Sequence, residues 1–235
     1  MKPILFNTDM VKAILDGKKT MTRRVVRLPA GISPYRVEPA SEYYDDLSEW
    51  VFIYGQQIKG GLADCFYRAS VPYKLGDILY VRETWNYGYI ETSDAEYSHE
   101  AWLEEMEPSE RGCHIYLDTF ARFFYRADED DAEIMEQIRG IWRPSIHMPK
   151  AAARLFLRVT DVRAVRLQDM TAADAYREGI RYAGESTQFE ALKRFKALWD
   201  STVKKSDIDR FGWEANPWVW VIEFERCEKP DEKGA

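Results

Sequence analysis

Apolar residues in the first third of the chain change their period several times, and each change predicts an element boundary. Lys2 to Asn7 holds a short apolar run and predicts a buried strand. Met10, Ala13, Ile14 and Leu15 then recur at helical spacing, with Thr8 or Asp9 placed to cap the helix and Gly17 to stop it in a left-handed conformation. From Thr20 to Val26, β-branched and long side chains predict a return to extended structure. Residues 29–73 carry Pro29, Pro34, Pro39, Gly60, Gly61 and Pro72 around two apolar runs, Trp50 to Tyr54 and Cys65 to Tyr67. That pattern predicts an irregular insertion containing a hairpin. Gly76-Asp77 marks a turn, and Ile78 to Val81 a continuous apolar strand.

A second insertion, 86–138, is acidic. It predicts an exposed excursion over 86–112 with a helix around Glu100 to Met106, a strand from His114 to Tyr125 and a surface helix from Asp128 to Ile141. Trp142 to Pro149 reads as a loop. Leu155, Leu157 and Val159 alternate with Phe156, Arg158 and Thr160 and start a half-buried strand that runs to Leu167. Thr171 caps a short helix, with Asp174 completing a capping box and Gly179 ending it. Phe189, Leu192, Phe195, Leu198 and Trp199 make the apolar stripe of an amphipathic helix. Trp218 to Phe224, entered through Asn216-Pro217, is a near-continuous apolar strand. Strands and helices alternate without a regular βαβ period, which predicts an α+β fold around a barrel or curved sheet. The expected organisation is one domain over 1–228, with a flexible tail at 229–235.

Composition narrows the class. Hydrophobic residues make up 46% of the 235 and aromatics 14%, enough to build a buried core. No run approaches the length of a membrane helix, and three scattered cysteines make no disulfide framework, so a cytoplasmic location without a membrane partner is expected. The net charge of −7 is unevenly spread. Residues 1–36 hold eight Lys/Arg against two acids and residues 139–170 seven against two, whereas 91–138 hold three against fifteen. Two basic stretches in an acidic chain are compatible with a polyanionic partner if they share a face, or with ordinary solvated surface.

Several chemistries are excluded. Cys113-His114 has no paired ligands at zinc spacing, so no metal is expected. Gly17-Lys18-Lys19-Thr20 fails as a phosphate-binding loop, because Lys12 stands where the first glycine belongs and Lys19 where Ser or Thr should follow Gly-Lys. There is no dinucleotide fingerprint and no nucleophile elbow, and no cofactor is expected. What remains is a dense cluster, Lys18, Lys19, Thr20, Thr22, Arg23 and Arg24, just after the first helix, and a carboxylate, Glu178, in the last turn of its helix, where the macrodipole disfavours it. Lysines at a helix end account for Lys18 and Lys19, and simple solvent exposure accounts for Glu178 unless a basic partner lies nearby.

The segment Gly17-Lys18-Lys19-Thr20-Met21-Thr22-Arg23-Arg24, the later Gly76-Asp77-Ile78-Leu79, the strand and helix from Leu155 to Ile180 ending Glu178-Gly179, and the strand Trp218 to Phe224 together resemble the ASCH domain pattern. Val81-Arg82-Glu83-Thr84-Trp85 and Trp142 to Pro149 resemble the longer ASCH proteins often encoded by phages and prophages. The resemblance covers about half the chain and leaves out most of 29–73 and 86–138. It implies a PUA-like open β-barrel with flanking helices and two long insertions, and a nucleoside, RNA or single-stranded nucleic acid as partner. One branch of the family hydrolyses acetylated cytidine through a Lys, a Thr three residues on and a distant Glu, which fall here on Lys19, Thr22 and Glu178.

In that scheme Lys19, standing at the lip of a cleft with a lowered pKa, deprotonates Thr22 or a water for attack on an exocyclic amide, and Glu178 orients the lysine or protonates the leaving amine. An ionised Glu178 opposes the lowering, and in a regular strand Lys19 and Thr22 point to opposite faces. The alternatives are a non-catalytic reader of RNA or a modified base, and a metal-independent ribonuclease using Lys19 and arginines as electrostatic stabilisers. In the reader, Trp85, Trp142 or Trp218 stacks on a base, Arg24 and Arg143 meet phosphates and His147 reaches a base edge. The candidate binding set is Lys18, Thr20, Arg23, Arg24, Arg82, Glu83, Trp85, Trp142, Arg143, Ser145 and His147. Oligomeric state is left open.

Overall fold

The computed structural model describes residues 1–42, 49–59, 61–91, 115–116, 119–128, 142–180 and 188–230. The expected helices at Glu100 to Met106 and over most of Asp128 to Ile141, and most of the expected tail, lie outside the described residues. The fold is α+β. Its strands are β1 (Lys2–Leu5), β2 (Met21–Val25), β3 (Arg36–Pro39), β4 (Glu49–Ile58), β5 (Gly61–Ser70), β6 (Ile78–Arg82), β7 (Trp85–Glu91), β8 (Ile115–Tyr116), β9 (Thr119–Tyr125), β10 (Phe156–Arg166) and β11 (Trp218–Cys227). The helices are α1 (Thr8–Leu15), α2 (Ala172–Arg177), α3 (Gln188–Thr202) and α4 (Ile208–Phe211). Three sheets form, in the orders β1-β6-β10-β11-β2, β3-β4-β5 and β7-β9-β8. The first strand, the strand after Gly76-Asp77, the Leu155–Leu167 strand and the closing strand all belong to the five-stranded sheet.

The chain divides into two compact units, Met1–Lys2 with Asp16–Leu79 and Leu157–Glu228, and Pro3–Leu15 with Tyr80–Phe156 and Lys229–Ala235. In the first, β11 reads as an unbroken apolar run because both of its faces are covered. Val219 and Val221 join Met21 of β2, Ala172 and Ala175 of α2, and Ala191, Phe195 and Trp199 of α3 in one buried cluster. On the other face Trp218 and Trp220 meet Phe52 of β4 edge-to-face, with ring centroids 5.9 and 6.0 Å apart. Phe52 is buried between Val51 and Ile53, so the 29–73 insertion contributes core. Its hairpin is more regular than expected: β4 and β5 are ten residues each and pair without interruption from Glu49↔Ser70 to Ile58↔Gly61.

Local signals explain most boundaries. Thr171 accepts from the Asp174 N–H and Asp174 from the Thr171 N–H, the reciprocal box that starts α2. Gly179 (φ 92°) ends α2 in a Schellman motif, with the Gly179 N–H donating to the Tyr176 carbonyl (2.8 Å) and the Ile180 N–H to the Ala175 carbonyl (3.1 Å). One cap differs from expectation. Asn7, rather than Thr8 or Asp9, caps α1, its Oδ1 accepting from the Met10 N–H at 2.9 Å. Asn7 supplies the carbonyl of the first helical bond as well (Val11 N–H, 3.0 Å), so Thr8 is already inside the helix.

The second unit differs from the expected exposed excursion at its start, where β7 occupies Trp85–Glu91 and pairs with β9 from Trp85↔Tyr125 to Glu91↔Thr119. In α3 the apolar stripe is carried by Ala191, Phe195 and Trp199, while Phe189, expected on that stripe, is 72% exposed at the helix start. Phe195→Ala is expected to destabilise the protein by about 3–5 kcal/mol, the cost of emptying a packed aromatic site. Phe189→Ala is expected to stay within about 0.5 kcal/mol. Urea unfolding of the two variants, with unchanged slope, checks the difference.

Candidate functional site

Lys19 lies in the short connection between Gly17 (φ 70°) and β2, and its side chain has no exposed surface. The expected position at a cleft lip is therefore corrected. Its ammonium donates three hydrogen bonds, to the Met21 carbonyl (2.8 Å), the Glu178 carbonyl (2.8 Å) and Glu178 Oε2 (2.9 Å). Two of these acceptors follow from backbone geometry. Glu178 is the C-cap of α2, so its carbonyl is one of the groups a helix leaves unpaired. The neighbouring Thr20 N–H takes the Arg177 carbonyl (2.9 Å), so Lys19 and Thr20 together close the end of α2. The cationic helix-end role is thus real, but the helix is α2 and not α1.

Met21 offers its carbonyl because β2 is the last strand of its sheet. Phe224 N–H to Thr20 O and Val26 N–H to Trp218 O, both 2.9 Å, mark the hydrogen-bonded pairs with β11. Met21, Arg23 and Val25 consequently turn their backbone groups away from β11, onto an open edge.

Glu178 is 5% exposed and shared by two cations, with Arg23 NH1 3.1 Å from Oε1. Arg23, itself buried, also reaches Asp174 (3.2 Å) and lies 6.0 Å from the centre of the Phe195 ring. Simple exposure of Glu178 is replaced by this pairing, the case in which a carboxylate at a helix C-terminus is tolerated. Burial pulls the Lys19 pKa below the ordinary lysine value, the Glu178 charge and hydrogen bond pull it back, and Arg24 and Arg23 add to the lowering. Burial also lowers Arg24, against Tyr73 and Glu178. Asp174 is pushed up by burial, but the Thr171 hydrogen bonds and the Arg23 charge outweigh this and hold it below the usual carboxylate range.

Thr22 is buried at 2% exposure and joins none of these hydrogen bonds. Its cross-strand partner is Ile222, whereas Arg23 stands opposite Val221 of the helix-facing cluster. The pleat therefore sends Thr22 and Arg24 to one face of the sheet and Met21 and Arg23 to the other. The structure brings Lys19, Arg23 and Glu178 together, leaves Thr22 on the opposite face, and keeps Lys18 at the surface, paired with Asp16 at 2.9 Å. The half-buried Thr20 takes a 3.4 Å contact from Arg177 Nε.

A pocket of about 550 Å³ opens along β2, lined by Arg23, Arg24, Val25 and Arg27 on one side and by Trp199, Val203, Lys204, Asp207 and Phe211 on the other. Its far wall is pinned by Trp199 Nε1 to the Phe211 carbonyl (2.8 Å) and the Trp213 N–H to Asp200 (2.7 Å). Arg27, Lys204, Asp207 and Phe211 were not anticipated. The available signal was the Lys204-Lys205 pair directly after the α3 stripe.

The remaining candidates belong to the second unit. Glu83, 1% exposed, is gripped by Arg154 through two hydrogen bonds of 3.0 and 3.1 Å, and Arg154 also holds Asp128 and lies 4.0 Å over Tyr125. Burial pushes the Glu83 carboxyl up, and Arg154 opposes it. Arg82 spends its guanidinium on the Met148 (2.9 Å) and Ile146 carbonyls, fixing the loop that holds Ser145 and the exposed His147. Trp85 is buried with Arg143 5.1 Å over its ring, and the two backbones bridge each other. Trp142 is half-buried under Arg126 at 5.6 Å. In the first unit Trp218 carries Arg166 at 4.5 Å. Each of these three rings already has a cation on one face. Among the described residues no group of His, Cys, Asp and Glu has the arrangement of a metal site, and no helix is long and apolar enough to cross a membrane.

Comparison of the chain with known protein families, curated proteins and solved structures returns no match.

Two outcomes test the cluster. Lys19→Met and Glu178→Gln should each destabilise the protein, and in a double-mutant cycle the pair should cost less than the sum by about 0.5–3 kcal/mol; additive costs would show that the two charges are not coupled. Asp174 has a folded pKa below its unfolded value of about 3.9, so the folded state binds fewer protons in that window. Its stabilisation is present above the unfolded value and is lost as pH falls through the folded one. Unfolding free energies measured from about pH 5 to 2 should fall, and Asp174→Asn should flatten that limb.

Proposed function

We propose that this chain is a nucleic-acid- or nucleoside-binding protein of the ASCH, PUA-like type, acting as a binding module, with Lys19, Glu178 and Arg23 as the scaffold of its binding surface. The observation that carries this is the pocket along β2, where Arg27 and Lys204, exposed and paired with no carboxylate among the described residues, stand beside one lining acid, Asp207, with Trp199 and Phe211 as apolar walls. A concentration of positive charge beside aromatic walls, in a chain of net charge −7, suits a ligand that is anionic in one part and a flat π-system in another. The saturated Lys19 ammonium supports a scaffold role. A neutral amine has two N–H donors, so acting as a base would require it to give up one of three short hydrogen bonds.

A second reading, hydrolysis of the N-acyl amide of a modified cytidine by Lys19, Thr22 and Glu178, is favoured by one observation: burial lowers the Lys19 pKa. Incubation with N-acetylcytidine and with a panel of nucleosides and short RNA or single-stranded DNA oligonucleotides separates the two. The expected result is saturable binding that weakens with salt, without release of acetate. Acetate release that is lost in Thr22→Val and kept in Thr22→Ser would move the assignment to the hydrolase. Absence of binding to every nucleoside and oligonucleotide would sink the proposal.

A further inference from the structure

The pocket along β2 is charged in a particular way. Its cations come from two separate elements, Arg23, Arg24 and Arg27 from the edge strand and its continuation, and Lys204 from the turn that follows α3. Arg27 and Lys204 are exposed, and among the described residues no carboxylate pairs with either. The strand adds donors of a second kind. The outward N–H groups of Arg23 and Val25 lie on the open edge of β2, and no hydrogen bond takes them among the described residues. Arg23 itself is committed elsewhere, its terminal nitrogens holding Glu178 and Asp174, so the cations left for a ligand are those at the rim.

From this convergence we infer that the pocket is a subsite for a phosphate group, so that the ligand is a nucleotide, carrying a terminal or an internal phosphate, in preference to a free nucleoside. The inference rests on the binding function proposed above and specifies its ligand. A tetrahedral oxyanion accepts several hydrogen bonds at once and matches a mixed set of guanidinium, ammonium and backbone donors. Val25, Val203 and Phe211 supply apolar wall, and Asp207 is an acceptor suited to a sugar hydroxyl. The opposing wall is held by the Trp199–Phe211 and Trp213–Asp200 hydrogen bonds, so the wall itself is in place before the anion arrives. An extended peptide pairing with the open edge of β2 would use the same outward N–H groups, but it has no need of the unpaired Arg27 and Lys204, and two outward-facing residues make a short ladder.

The test is calorimetric titration at low ionic strength with the four ribonucleosides, their 5′- and 3′-monophosphates, a dinucleoside monophosphate, pyrophosphate and an extended oligoglutamate peptide. A monophosphate or the dinucleotide should bind about tenfold or more tighter than its nucleoside, the worth of charge-assisted hydrogen bonds. That ratio should collapse toward one in Arg27→Ala and in Lys204→Ala. It should persist in Lys59→Ala, an exposed lysine in the β4–β5 turn that has the same effect on net charge. Preference for the monophosphate identifies a terminal phosphate, and preference for the dinucleotide an internal one. Equal affinity for nucleoside and nucleotide overturns the phosphate subsite and leaves the proposed function standing. Pyrophosphate binding that depends on Lys204, with no nucleoside or nucleotide bound, keeps the subsite and overturns the function. Binding of the peptide alone, or of nothing, overturns both.

Discussion

A carboxylate buried at the C-terminal end of a helix is doubly unfavourable, through desolvation and through the partial negative charge of the last carbonyls. Glu178 is in that position, and much of the first unit can be understood as the arrangement that makes it tolerable. Lys19 neutralises the carboxylate and the helix-end carbonyl with one ammonium, and Arg23 takes the other carboxylate oxygen. Because Lys19 precedes β2 and Arg23 lies on it, the same bonds fasten the edge strand to α2. Asp174 then occupies the far side of Arg23 while completing the capping box at the start of α2. One short helix thus presents a carboxylate at each end to the same strand, and the pair of cations sets where that strand lies. A network of this kind contributes modest net stability over an apolar packing of equal volume; its larger effect is on geometry, since removing one member leaves a buried charge uncompensated.

The same bonds leave the outer edge of β2 only partly used. An open strand edge invites pairing with another chain, and proteins usually cover or charge it. Here Lys19 takes the Met21 carbonyl, and the two residues beyond it face the wall formed by the end of α3 and α4. That wall stands off enough to leave a cavity. Arg24 and Arg27 around it discourage an apolar strand from docking, so the feature that protects the edge also supplies the charge that a ligand would use.

Much of this fold was legible because its signals are local. The Thr171–Asp174 box, the left-handed glycines at 17, 76 and 179 and the two-faced apolar run of β11 each depend on residues within a few positions of one another. The Asn7 cap was missed because Asn7, Thr8 and Asp9 are all competent caps and only the backbone decides among them. The prolines of 29–73 predict irregular structure, but they lie outside the long hairpin or, at Pro39, at the end of the short edge strand β3, where a missing N–H is tolerated. The burial of Lys19 has no sequence signal, and that of Glu178 only the misfit of a carboxylate at a helix C-terminus. The two are 159 residues apart, and a lysine and a glutamate read individually as surface. The Lys-x-x-Thr spacing was visible, but spacing does not reveal the pleat: β2 begins at Met21, and its register with β11 sends Thr22 to the face opposite Arg23.

Burial and hydrogen bonding make opposite demands on Lys19, and the conflict decides what the cluster can do. Burial favours the neutral amine, as the lowered pKa records. The three acceptors favour the ammonium, because an amine would leave one carbonyl or carboxylate oxygen facing a lone pair in a site closed to water. For the amine to serve as a base, that oxygen would need a substitute donor, and a reacting group would have to enter a space where Lys19 has no exposed surface. Arg23 already occupies the other Glu178 oxygen and cannot release Lys19 without abandoning it. A proton on Lys19 is therefore part of the fold's own wiring, and the groups left to meet a ligand are those at the rim: Arg24, Arg27, Lys204 and the outward N–H groups of β2. Chemistry at Lys19 requires α2 to move away from the strand; binding at the rim requires no movement, and this asymmetry is the physical ground for preferring the binding role.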